Sequence, residues 1–267
     1  MIKIQKKDIN FRKLKKLQSQ GSQSIIYCDK KYCYKMFNNA NNNYCKSIQR
    51  LYRDLEGYNN PNILLPVGYI MTQGKLEGYI MEKKDAYSIV KNFEEDVHTL
   101  SCPIFFFIIK QVSEILRQLH SDGIVVTDLN FNNILIDNKT GQVYYADTDS
   151  FSYRKTHGFL ISELLYNYLK IHKLDTNYRI SENTDRLSLA LAFLHTMYYI
   201  PFDKITTSYF DEYSYINTLT NMRQLFFSLK TAKTLPQVGY IDKFLDLNDN
   251  AEIKRNSQIK LIKQKTY

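Results

Sequence analysis

Asp128 and Asn133 stand close together in the stretch LHSDGIVVTDLNFNNILIDNKTGQVYYADTDSF, which runs from Leu119 to Phe151. A short apolar run, Ile134 to Ile136, follows, then turn residues from Asp137 to Gly141, then a second apolar run that ends at Asp147. The pattern predicts a loop, a strand, a turn and a strand, which would carry two carboxylates and an amide to one place. Phosphoryl transfer from a nucleotide needs such a set. One carboxylate orients the attacking hydroxyl, while a carboxylate and an amide oxygen hold magnesium on the phosphates. An isolated Asp-x4-Asn is also ordinary turn chemistry, so the reading depends on whether the surrounding elements come in a matching order.

Upstream, Ile25, Ile26 and Tyr27 precede a polar turn, Asp29 to Lys31, and a second strand from Tyr32 to Phe37 carries Lys35. This predicts a hairpin. Ile48, Leu51, Tyr52 and Leu55 have helical spacing, and Asn60-Pro61-Asn62-Ile63 ends that helix. Two strands around a Thr72 to Lys75 turn come next, finishing at Met81-Glu82-Lys83-Lys84. The segment FFFIIKQVSEILRQLHSDG predicts a long helix ended by Gly123, leading directly into the Asp128 loop. Further on, Asn183, Thr184 and Asp185 form a capping-type start to a helix that is apolar nearly all round and therefore buried.

Taken in order, these elements resemble the protein-kinase-like superfamily over about residues 17 to 200. The resemblance implies an α+β, bilobal fold: an antiparallel-sheet N-lobe with one main helix over residues 1–82, and a mostly helical C-lobe over residues 83–267. It implies ATP and magnesium as cofactors. Asp128 would orient the acceptor hydroxyl, Lys35 would pair with the phosphates, and Asn133 and Asp147 would hold the metal. Gly21 would be the one survivor of a glycine-rich phosphate loop, with Ser19 and Ser24 in the other two glycine positions. Met81 would sit behind the adenine, and backbone groups at Glu82 and Lys84 would hydrogen-bond its edge. Asp185 would accept hydrogen bonds from the backbone of the Asp128 loop.

The family also pairs its strand lysine with a helix glutamate. The ungapped position here is Leu51, and Asp54, one turn later, is the first choice of partner. Asp147-Thr148-Asp149-Ser150, in place of Asp-Phe-Gly, together with Thr127-Asp128-Leu129-Asn130, looks like one branch of bacterial-type serine/threonine protein kinases. Other departures bear on substrate and control. Thr127 stands where an arginine usually answers an activation-loop phosphate, which argues against that mode of control. Asn130 replaces a lysine that steadies the transferred phosphate. The segment from Asp147 to Glu163 is short for peptide docking.

Composition is compatible with one two-lobed unit of 267 residues. The run from Leu187 to Ile200 is interrupted and too short to span a membrane, and the lysine-rich N-terminus lacks the apolar segment of a signal peptide. Four cysteines, Cys28, Cys33, Cys45 and Cys102, show no metal spacing, so reduced thiols and a cytoplasmic location are expected. The formal charge is +9, with basic residues crowding both ends of the chain. Nucleic acid or an acidic partner would suit that charge, but no nucleic-acid fold signature accompanies it, and solvated faces and tails are the preferred reading. The expected acceptor is a serine or threonine of a protein. A small-molecule kinase, suggested by Asn130 and the short segment, and a nucleotide-binding pseudokinase, suggested by the eroded glycine loop, stay open beside it.

Overall fold

A computed structural model describes residues 1–17, 24–38, 41–89, 102–137, 139–154, 162, 165, 166, 170 and 180–198. The chain is a mixed α+β protein whose main sheet is mostly antiparallel. It divides into two compact units, residues 1–87 with 135–159, and residues 88–134 with 160–267.

In the first unit, six strands form one sheet. They are β1 (Ile2–Gln5), β2 (Lys15–Leu17), β3 (Ser24–Cys28), β4 (Tyr32–Phe37), β5 (Pro66–Thr72) and β6 (Lys75–Glu82), in the order β1-β5-β6-β4-β3-β2. The β3–β4 hairpin closes on Asp29, whose carboxylate accepts from the amides of Lys31 and Tyr32 at 2.7 Å each. The Tyr34 hydroxyl donates to the same carboxylate at 2.8 Å. A side chain that satisfies turn amides is the reason aspartate suits such a turn. Burial works against the charge of Asp29, but the amides of Tyr32 and Lys31 hold its carboxyl below the usual range.

The same hairpin corrects one expectation. Cys28 and Cys33 lie directly opposite each other in the β3–β4 register, with Cα atoms 4.2 Å apart, and form a disulfide. Cross-strand pairs at this separation bring their Cβ atoms within bridging reach. Reduced thiols were expected from the absence of metal spacing and a cytoplasmic setting, and the pairing follows instead from strand register. Cys45 is buried and not disulfide-bonded.

Strand alternation sends Met36, Ile70 and Ile80 into one core, with Ile4, Phe11, Tyr27 and Tyr34 packed against it. Lys35 and Tyr79, paired in the β4–β6 register, point to the opposite face. That face is covered by α1 (Asn42–Asp54), which buries Ile48, Leu51 and Tyr52. Each such aliphatic side chain, fully buried, contributes roughly 1.5–3 kcal/mol. Asn41 caps the helix, its side chain accepting from the Tyr44 amide at 2.9 Å. β1, which runs parallel to β5, was not foreseen.

Gly78 in β6 lets two backbones approach. A Cβ there would stand 2.1 Å from the carbonyl oxygen of Lys35, which is the usual meaning of a glycine inside a strand pattern.

After the short strand β7 (Tyr87–Ser88), the second unit contributes α2 (Cys102–Ser121), β8 (Ile124–Val125) and α3 (Glu182–Tyr198). α2 ends at Gly123, φ +75°, a left-handed conformation that glycine adopts without steric cost. Ile108, Ile109, Val112, Leu116 and Leu119 are buried on α2 at helical spacing. The chain returns to the first unit through β9 (Ile134–Ile136), whose last two residues belong there, and continues with β10 (Val143–Tyr145) and β11 (Ser152–Tyr153). Among the described residues no helix is long and apolar enough to cross a membrane.

Candidate functional site

The first unit builds one cluster around Lys35. β4 delivers the lysine, and β10 delivers Asp147 two residues beyond its end. β10 is anchored to the Asn60–Leu64 turn on both sides: Leu64 donates to the Tyr145 carbonyl at 2.9 Å, and the Tyr145 amide donates to the Asn62 carbonyl at 2.7 Å. The Asn62 side chain adds a bond to the Val143 carbonyl at 2.7 Å. The Asn-Pro-Asn-Ile stretch therefore does more than end a helix, since it sets the height of the strand that carries Asp147.

Asp147 is in the left-handed region, φ 61°, ψ 56°, and opens a short 3₁₀ turn, Thr148–Ser150. Aspartate tolerates this conformation better than most residues. The turn sends two carboxylates to one ammonium. Lys35 donates to Asp147 through a short bond and to Asp149 at 2.8 Å, although 112 and 114 positions separate the partners.

The surroundings of this trio are dry and aromatic. The Lys35 side chain is 6% exposed and that of Asp149 4%, whereas that of Asp147 is 36% exposed. The Lys35 ammonium lies 5.5 Å from the centroid of the Tyr79 ring, within cation–π range. Tyr79 meets Phe37 and Tyr52 edge-to-face, at 5.8 Å and 5.7 Å between centroids. From α1, the Tyr44 hydroxyl donates to Asp149 at 3.0 Å, and the Tyr52 hydroxyl bonds the Thr148 hydroxyl at 3.0 Å.

Two carboxylates and one ammonium carry a net negative charge, and the three groups titrate accordingly. Burial works against the charge of Lys35, but Asp147 and then Asp149 raise its pKa above the ordinary lysine range. Burial would raise Asp147, but the Lys35 charge outweighs it and holds that carboxyl below the usual value. Asp149 is pushed up to about 7 by burial and by the charge of Asp147, with Lys35 opposing. Burial also raises the phenols of Tyr44, Tyr52 and Tyr79, so all three stay neutral.

The second unit builds the Asp128 loop. Asp185, fully buried in α3, accepts from the amides of Val126 and Thr127 at 2.7 and 2.8 Å, and makes a 2.9 Å bond with His120 Nε2 at the end of α2. The expected role of Asp185, as acceptor for this loop, is what the structure shows. Thr127 is left-handed, φ 65°, which is strained for a β-branched residue and costs about 1–3 kcal/mol. The two amide bonds to a buried carboxylate offset that strain. They fix the backbone one residue before Asp128.

Asn130 organises the rest of the loop. Its side chain donates to an Asp128 carboxylate oxygen at 3.1 Å and accepts from the amides of Asn132 and Asn133 at 3.0 and 3.2 Å. The Asn133 side chain donates to the Asp128 carbonyl at 3.2 Å. Both Asp128 and Asn133 are half-buried.

The structure thus brings Lys35 to Asp147 in one unit and Asp128 to Asn133 in the other. Met81 is buried at the end of β6, opposite Cys33, and Lys84 pairs with exposed Glu82 at 3.0 Å and lies 5.5 Å from the Tyr144 ring centroid. Gly21 and Ser19 lie outside the described residues, as do Glu163 and the basic run near the C-terminus.

Asp54 is not the partner of Lys35, and the place expected for it is taken by Asp149. The reason is helical phase. Tyr52, near the end of α1, reaches the 148–150 turn through its hydroxyl, and Asp54, two residues later, starts about 200° round the helix from it, on the opposite side. Four site residues had escaped notice: Asp149, Tyr44, His120 and Gly78. The alternating acids of Asp147-Thr148-Asp149 and a glycine inside an apolar strand were visible signals. Nothing in the sequence distinguished Tyr44 among 22 tyrosines.

The donor set fits magnesium on a nucleotide. Such an ion is usually held by one or two protein oxygens together with phosphates, and Asp147 is the more exposed of the two carboxylates on Lys35. Among the described residues no group of three histidine, cysteine or acidic side chains could hold a metal by itself. No family model matches the chain, and no curated protein matches it.

Proposed function

We propose that the chain is an ATP- and magnesium-dependent phosphotransferase with a bilobal protein-kinase-like fold, whose acceptor is a serine or threonine hydroxyl of a protein. The observation that carries this reading is the buried Lys35–Asp147 pair. Two residues far apart in sequence, singled out by order and spacing, meet where the lysine is buried beside the Tyr79 ring and the aspartate keeps partial access to solvent. A buried ammonium with one dry and one more exposed carboxylate is suited to hold a divalent cation and, beside it, the phosphates whose charge that cation offsets.

In this reading Lys35 contacts the phosphates. Asp147 and Asn133 serve as metal-holding groups, and magnesium, when bound, neutralises charge on the phosphate oxygens. Asp128 accepts a hydrogen bond from the acceptor hydroxyl and takes its proton as the new P–O bond forms. The strained Thr127, braced by Asp185, supports the same assignment, because strain held by buried bonds gathers at functional loops. Met81 and the backbone at Glu82 and Lys84 serve the adenine. A cytoplasmic setting belongs to this reading, and the Cys28–Cys33 bridge is the observation that runs against it.

A small-molecule acceptor is favoured by one observation. Asn130, where a phosphate-steadying lysine is usual, is instead committed to Asp128 and to two loop amides. Incubation with γ-labelled ATP and magnesium, alone, with a cell extract and with the small-molecule fraction of that extract, separates the readings. Label on protein supports the first, and label only on small molecules supports the second. Nucleotide binding without label anywhere identifies a pseudokinase and sinks both.

A further inference from the structure

The cluster holds one carboxylate more than Lys35 needs, and the two carboxylates are not equivalent. Asp147 is 36% exposed at its side chain and Asp149 4%. Asp149 Oδ2 receives both the Lys35 ammonium at 2.8 Å and the Tyr44 hydroxyl at 3.0 Å. The neighbouring Thr148 is bonded to Tyr52, eight residues after Tyr44 and so on the same stripe of α1. The first and last turns of α1 therefore grip two consecutive residues of the 148–150 turn, while the helix offers the lysine no acidic side chain of its own.

We propose that Asp149 is a positioning residue: it keeps Lys35 in place when Asp147 turns to the metal, and Tyr44 ties α1 to it, filling the part a helix carboxylate would otherwise play. This rests on the phosphotransferase reading. As long as Lys35 bonds both carboxylates, Asp147 cannot give its whole charge to a cation. Once Asp147 is engaged elsewhere, a lysine with no second partner would be a buried charge without a counter-ion, which is strongly disfavoured. Asp149 removes that penalty. Tyr44 keeps Asp149 from rotating away, and the Phe37 ring, 5.4 Å from the Tyr44 ring in an edge-to-face contact, holds the phenol in turn. Neither Asp149 nor Tyr44 need touch the nucleotide.

Two double-mutant cycles on the full chain test this, Tyr44→Phe with Asp149→Asn, and Lys35→Met with Asp149→Asn. The first is read by denaturant unfolding without nucleotide, and the hydroxyl–carboxylate bond should appear as a coupling of at least about threefold in the unfolding constant. The second is read by kcat and KM for MgATP with the acceptor that takes label. Asp149→Asn alone should lower kcat by about tenfold or more with KM changed much less, and should cost nothing further once Lys35 is Met.

Losses that simply multiply in the second cycle would show a general structural role and overturn the proposal, while transfer by the wild type would leave the phosphotransferase reading standing. A wild type that shows the unfolding coupling but binds no MgATP would end that reading and the positioning role with it. If Asp149→Asn does not fold, Tyr44→Phe decides, since it removes one hydroxyl and keeps the ring. A kcat lowered severalfold at nearly unchanged KM supports the proposal, and unchanged kcat overturns it.

Discussion

Replacing Lys35 by methionine removes a buried ammonium while keeping most of the side-chain volume, and the structure sets both the size and the pH dependence of the result. The lysine is 5% exposed as a residue and bonds two carboxylates. Removing one partner of a buried ion pair typically costs about 3–5 kcal/mol, and the whole of that applies when both aspartates are ionised. The pH trend comes from the two carboxyls. With Lys35 present, Asp147 is held below its ordinary value of 3.8, so it contributes stability above that value which is lost as pH falls through its folded pKa. Without Lys35 the paired aspartates hold a proton more tightly than in the unfolded chain. Any advantage from that proton is present at low pH and is lost as pH rises through the raised value.

The Asp147 contribution is complete above its ordinary value, so further growth of the Lys35→Met deficit comes as pH passes the value of about 7 to which Asp149 is raised with Lys35 present, where the wild type gives up that proton and the variant still holds it. The limiting slope is about 1.4 kcal/mol per pH unit for one proton. Denaturant unfolding of wild type and variant near pH 5 and pH 8 measures it. The expected deficit is about 3–5 kcal/mol at the higher pH and clearly less at the lower. Lys139→Met is the control, because its pair with Asp85 is 80% and 69% exposed, and the unfolding midpoint should not move. A Lys35→Met deficit under about 1 kcal/mol at pH 8, or one equal at both pH values, would refute the placement of this cluster.

Gly78→Ala should destabilise the first unit by about 1–3 kcal/mol, because the new methyl meets the Lys35 carbonyl at 2.1 Å; a thermal midpoint equal to wild type would show that the strands separate freely. Asp185→Asn should cost about 2–4 kcal/mol, since one amide oxygen cannot serve two backbone donors and His120; the loss should appear both in unfolding and in turnover, and full retention of both would remove the brace on Thr127. Asp29→Asn should lower stability at neutral pH and converge with wild type in acid. The Asp29 carboxyl is held below its unfolded value, so its contribution is present above that value and disappears as pH falls; a pH-independent difference would refute the charge-based account of the hairpin turn.

The local elements were legible wherever a periodicity or a turn residue declared them. Asp29 marked the β3–β4 hairpin, and Ile48, Leu51, Tyr52 and Leu55 traced the buried face of α1. Lys35 and Asp147 were legible through their order relative to the other elements, and Asp185 through its place at the start of a helix apolar nearly all round. β1 escaped because Ile2 and Ile4 give only two apolar positions of alternation, too short a signal to separate from a basic tail. Tertiary pairing set the rest. The Cys28–Cys33 bridge depends on strand register. The partner of Lys35 depends on which face of α1 is turned to the lysine, and a count of residues along the helix chose Asp54 where the fold presents Tyr44 and, through it, Asp149.

The most direct test of the account is nucleotide binding and phosphoryl transfer measured side by side for wild type, Asp128→Asn and Asp147→Asn, using thermal shift with and without MgATP and label transfer from γ-labelled ATP. The expected pattern is a wild type that is stabilised by MgATP and transfers label, an Asp128→Asn variant that is stabilised equally and transfers at least about a hundredfold less, and an Asp147→Asn variant that loses both. No stabilisation of the wild type by millimolar nucleotide with magnesium, or wild-type turnover in both variants, would contradict it.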